Sequence, residues 1–99
     1  EKTIQQAFKE VADLLAARKN LADQLQSLQE TQKAQEQRLR LVKARYEGGI
    51  ATYLEVLDAE RDFFSAQQAT VQTRRAWLTS AAQLYKALGG GEEKAAQKG

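Results

Sequence analysis

No proline or glycine interrupts the chain before Gly48, and none follows Gly49 until Gly89. Proline removes a backbone donor and glycine weakens a helix interior, so both long stretches are free to run as continuous helices. The adjacent glycines between them can take the positive-φ conformations that end one helix and reverse the chain at little steric cost. A new helix start follows at once. Thr52 and Glu55 form a T-x-x-E capping box: the threonine oxygen accepts from the Glu55 N–H, and the carboxylate accepts from the Thr52 N–H. The sequence therefore predicts an all-α fold, a long antiparallel two-helix coiled-coil hairpin. Its first helix spans about 2–47, its turn 48–51 and its second helix about 52–88.

The first helix carries its apolar residues on a heptad lattice. One column reads Ile4, Val11, Arg18, Leu25, Gln32, Leu39, Tyr46, and its partner column reads Ala7, Leu14, Leu21, Leu28, Gln35, Val42. Only Arg18, Gln32 and Gln35 interrupt what is otherwise a coiled-coil seam. The second helix carries two stripes. The first is Tyr53, Leu57, Glu60, Phe64, Gln67, Val71, Arg74, Leu78, Ala81, Tyr85, Leu88. The second is Val56, Ala59, Phe63, Ala66, Thr70, Thr73, Trp77, Ser80, Leu84, Ala87, with no charge in it. Folding about the glycines with the first stripe inward sets Val42 against Leu57, Leu28 against Val71, Leu21 against Leu78 and Leu14 against Tyr85. Residues 1–10 then overhang, and the second stripe is left for another packing partner. Gly89-Gly90-Gly91 is expected to end the helix, and residues 92–99 read as a polar, mobile tail.

Composition removes most other functions. Fifteen basic and 13 acidic residues give a net charge of +2, so bulk charge demands no polyanion and no nucleic-acid partner. With no histidine and no cysteine, the usual zinc sites, Cys/His nucleophiles and the Ser-His-Asp triad are absent, and no cofactor is expected. The glycine run follows a helix and lacks a Lys-Ser/Thr, so it is no phosphate loop. The chain reads as no enzyme. No apolar run approaches the ~20 residues that span a bilayer, so this segment is not expected to cross a membrane. No charged region followed by an apolar one opens the chain, so any export signal of a longer parent would lie upstream of Glu1.

Three residue groups hold competing readings. Glu55, Asp58 and Asp62 share a helix face and could be metal ligands or an acid/base pair, or could simply favour the positive end of the second helix. Phe63, Phe64 and Trp77 could line a pocket, or serve as core. Tyr46 and Tyr53 flank the turn and could present a binding surface, or close the end of the hairpin.

The stretch R-Y-E-G-G-I-A-T-Y-L-E-V-L-D-A-E-R-D-F-F-S-A-Q-Q, from Arg45 to Gln68, resembles the second-repeat hairpin of TolC-like outer-membrane efflux channels. The phrases F-K-E-V-A-D-L-L-A-A-R (Phe8 to Arg18) and L-Y-K-A-L-G-G-G (Leu84 to Gly91) resemble the OprM-like lipoprotein branch of the same family. The resemblance implies an excised part of a trimeric α-helical tunnel in the periplasm, from a parent in the outer membrane of a Gram-negative bacterium. Such a channel exports drugs or other small toxic compounds within a tripartite pump, of the RND type, beside a periplasmic adaptor (membrane fusion) protein and an inner-membrane pump. It implies that Gly48, Gly49, Ile50, Ala51 and Thr52 form the adaptor-docking tip. It also implies that Glu55, Asp58 and Tyr46 belong to the pore entrance, three copies of each acid making a negative, cation-favouring ring. Some members carry an arginine where this chain has Ala51, so any closing contact built on that arginine is missing here. The alternative is a self-contained antiparallel coiled-coil module acting as an interaction or scaffold protein.

Overall fold

The computed structural model of the chain describes residues 3–90. Two helices make the fold: α1 (Ile4–Glu47, 44 residues) and α2 (Tyr53–Tyr85, 33 residues). A wide π-type turn, Lys86–Gly90, closes α2, and the path leaves helical geometry at Gly89, with φ 131°. The polar tail expected at 92–99 lies outside the described residues.

Side chains close both helix starts. The Thr52 N–H donates to Glu55 Oε2 at 2.8 Å and the Glu55 N–H donates to Thr52 Oγ1 at 3.2 Å, the capping box expected from the sequence. A second box opens α1: the Thr3 N–H donates to Gln6 Oε1 at 3.1 Å and the Gln6 N–H to Thr3 Oγ1 at 3.2 Å. Each satisfies two of the amide donors that a helix start leaves without an internal partner.

The helices divide into two compact units, a tip unit (Gln24–Thr73) and a terminal unit made of the segments up to Asp23 and from Arg74 onward. In the tip unit α1 turns Leu25, Leu28, Gln32, Gln35, Leu39 and Val42 away from solvent. In the terminal unit it does the same with Val11, Leu14, Arg18 and Leu21. All of these are positions of the heptad lattice. Ile4 to Glu10 are exposed throughout.

On α2 the inward face is the second stripe, which corrects the pairing expected from the sequence. In the tip unit Val56, Ala59, Ala66 and Thr70 are buried, and in the terminal unit Ser80 is buried with Trp77, Leu84 and Ala87 half-buried. The stripe expected inward is outward: Tyr53, Leu57, Phe64, Val71, Leu78, Tyr85 and Leu88 are all exposed. Charge and size explain the choice. Turning the first stripe inward would carry Glu60 and Arg74 out of water, which is costly for unpaired charge. The second stripe carries no charge and many small side chains, which lets helices approach closely.

Close approach is visible at Thr70. Its hydroxyl donates to the Ala66 carbonyl on its own helix at 2.9 Å and lies 3.4 Å from the Leu28 carbonyl oxygen of α1. Among the described residues no buried side-chain polar atom lacks a partner. Phe63 and Trp77 are half-buried on the packed stripe, whereas Phe64 is exposed.

Candidate functional site: the hairpin tip

The turn is built by hydrogen bonds that consume the last carbonyls of α1. Ile50 N–H donates to Arg45 O at 2.8 Å and Gly49 N–H to Tyr46 O at 3.0 Å, with Gly49 in the left-handed region at φ 79°. That pair of bonds around a positive-φ glycine is a Schellman cap. Ala51 N–H adds a third bond to Arg45 O at 3.2 Å. Only one glycine of the pair takes positive φ, which narrows the expectation that both would. Gly48 continues the helix, donating to Ala44 O at 3.0 Å.

The two glycines should therefore respond differently to alanine. A Cβ at Gly49 would meet nothing within 4 Å, so its whole penalty is backbone strain, about 1–2 kcal/mol. A Cβ at Gly48 would sit in ordinary contact, 3.5 Å from Ala44 O and 3.7 Å from Arg45 O. Gly48→Ala should be neutral or stabilising by up to about 1 kcal/mol, through a less flexible unfolded chain. Urea unfolding of the two variants checks the difference, and equal losses would contradict the assigned cap.

Ile50 stands at the apex with 80% of its surface exposed, and Leu54 beside it on the first turn of α2 is also exposed. Ala51 is half-buried. Tyr46 and Tyr53 meet across the neck of the turn, their ring centroids 5.6 Å apart and tilted by 52°, a favoured aromatic geometry. Both rings stay exposed on their outer sides. The tyrosines thus close the end of the hairpin and also offer surface.

Each acidic residue is engaged, and Asp58 and Asp62 share Arg61. Glu55 is held by the cap. Asp58 Oδ1 lies 3.7 Å from Arg61. Asp62 bridges the helices, accepting from Arg38 Nη1 at 2.6 Å, with Arg61 Nε 3.7 Å from its other oxygen. The Arg38 hydrogen bond, opposed by a smaller desolvation effect, holds the Asp62 carboxyl below its ordinary range, so it is ionised at neutral pH. Among the described residues no group of three His, Cys, Asp or Glu could hold a metal ion. The pairing of these acids with Arg38 and Arg61 is not part of what the sequence predicts. The signal for Arg61 was present in its three-residue spacing from Asp58, whereas Arg38 needed the fold to bring it to Asp62.

Among the described residues the chain is a helical hairpin whose tip is tightly capped and exposed. Among the described residues no helix is long and apolar enough to cross a membrane. The sequence matches the family model described as "Outer membrane efflux protein" over residues 1–90, and the chain belongs to that family. It is 53% identical over 91 residues, 92% of this chain, to the probable efflux pump outer membrane protein TtgC of Pseudomonas putida KT2440. The same identity holds with the antibiotic efflux pump outer membrane protein ArpC of Pseudomonas putida. It is 44% identical, again over 92% of the chain, to the cation efflux system protein CusC of Escherichia coli O157:H7. The chain spans 19% of the length of the first two relatives and 20% of the third. No solved structure gives a significant match.

Proposed function

We propose that this hairpin is a periplasmic tunnel segment of an outer-membrane efflux channel and that its turn is the entrance and adaptor-docking tip. The observation that carries the reading is 53% identity across 92% of the chain to efflux-pump outer membrane proteins. The outward stripe of α2 supports it. Tyr53, Leu57, Phe64, Val71, Leu78, Tyr85 and Leu88 are large apolar or aromatic side chains exposed among the described residues, on a stripe that also carries Glu60 and Arg74, as a hairpin taken from a larger helical wall would show. In that wall the parent is a homotrimer in the outer membrane, working with a periplasmic adaptor and an inner-membrane pump. The cargo is a drug, solvent or other small toxic compound.

At the entrance Glu55 and Asp58 supply negative charge and Tyr46 packs the neck against Tyr53. Gly48, Gly49, Ile50, Ala51 and Thr52 present a small, uncharged apex that a partner's helices can approach closely. The charge role separates cleanly from the capping role. Glutamine also completes a capping box, so Glu55→Gln removes charge while keeping the cap. In the reconstituted full-length trimer, Glu55→Gln combined with Asp58→Asn should lower cation over anion selectivity several-fold and weaken block by multivalent cations. Reversal potentials under a salt gradient measure this. Unchanged selectivity and block would return both acids to helix capping alone.

A further inference from the structure

Two stripes of α2 compete for the inward position, and apolar content alone does not choose between them. The outward stripe holds Leu78, Tyr85 and Leu88 in the terminal unit, where the inward one holds Trp77, Ser80, Leu84 and Ala87. We propose that Arg18 is the positioning residue that selects which face of α2 turns towards α1 in the terminal unit.

Arg18 occupies an inward lattice position whose neighbours on α1, Val11, Leu14 and Leu21, are apolar, and it is half-buried. Its Nη1 donates to the Trp77 carbonyl at 3.1 Å and to Ser80 Oγ at 3.0 Å. Its guanidinium carbon lies 5.0 Å from the centroid of the Trp77 ring, within cation–π range. Ser80, only 4% exposed, spends its own proton on the Trp77 carbonyl at 2.6 Å, which leaves its oxygen free to accept from Arg18. Every group that satisfies the guanidinium belongs to the inward stripe.

Level with Arg18 the outward stripe offers nothing comparable. Its members in this unit are Arg74, a like charge, Leu78 and Ala81, which have no side-chain acceptor, then Tyr85, whose hydroxyl and ring stand one helical turn beyond Ala81, and Leu88. Rotating α2 to bring that stripe inward would part the half-buried guanidinium from Trp77 and Ser80, and breaking one side of a buried charged contact is strongly unfavourable. A buried polar residue in a coiled-coil seam can specify register while lowering stability. Arg18 therefore imposes uniqueness of face rather than stability.

The 99-residue chain has no cysteine, so paired cysteines report the face directly. Leu14→Cys with Leu84→Cys reads the observed face, and Leu14→Cys with Tyr85→Cys reads the rotated one. With Arg18 present, the first pair should oxidise about tenfold or more faster than the second, since a disulfide demands closely spaced Cα atoms. In Arg18→Leu the ratio should fall several-fold, the charge of Arg74 and the small inward residues still favouring the observed face, while thermal stability holds or rises. Arg18→Lys keeps the charge without the planar fork and should leave the ratio between the two. An unchanged ratio in Arg18→Leu overturns the proposal. So does a fall in both cross-links together with loss of helical circular dichroism, because Arg18 would then be only a stabilising contact.

Discussion

Replacing Ala59 with leucine is expected to destabilise the hairpin by about 1–3 kcal/mol, the usual cost of forcing extra methylenes into a packed interface. Ala59 has 0% of its surface exposed and lies between the buried Val56 and the half-buried Phe63 on the inward stripe of α2. A leucine there cannot escape to solvent without rotating the helix. Leu57→Ala is the matched control, because Leu57 lies on the outward stripe. In the isolated chain it should change stability by no more than about 0.5 kcal/mol. In the full-length protein the same substitution should weaken assembly, since the outward stripe is the face proposed to meet neighbouring tunnel helices. Urea unfolding of both variants measures the first effect. If Leu57→Ala proves the costlier in the isolated chain, the assignment of the two stripes is reversed.

Placing a charge at the apex should remove transport altogether. Ile50 is 80% exposed, so Ile50→Glu disturbs neither the cap nor the core. It would put an unpaired carboxylate at the centre of the small apex proposed to dock the adaptor, where burial against a partner would carry a large desolvation cost. Cells producing the full-length variant should be as sensitive to drugs or solvents as cells lacking the channel, while the trimer still assembles in the outer membrane. Ala51 is a poorer site for this test, because it is half-buried. Full resistance with Ile50→Glu would remove the apex from the contact.

The turn was legible in the sequence because its chemistry is local. Gly48-Gly49 followed by T-x-x-E leaves a chain few alternatives, and the cap and box appear where the residues place them. The α1 lattice was legible for a related reason: long apolar residues recur at heptad spacing, and the same positions turn inward in both units. The inward face of α2 was not legible, because large apolar residues drew the reading to the stripe of Leu57, Phe64 and Leu78. Packing instead favours the stripe that is free of charge and small enough for the hydroxyl of Thr70 to reach a carbonyl of the other helix. The T-x-x-Q spacing at Thr3 carries the same local signal as the box at Thr52. At the tip, residue types marked Glu55 and Asp58, but the sharing of Arg61 between Asp58 and Asp62 depends on side-chain geometry that spacing only hints at.

The proposal that the turn is a docking tip meets its most direct measurement in site-specific photo-cross-linking in living cells. A photoreactive residue at position 50 of the full-length channel would sample whatever lies against the exposed apex. The account predicts an adduct between the channel and the periplasmic adaptor of its pump, absent when the adaptor gene is deleted and absent from the same probe placed at Leu78. An apex that yields no adaptor adduct in cells whose efflux is intact would contradict it.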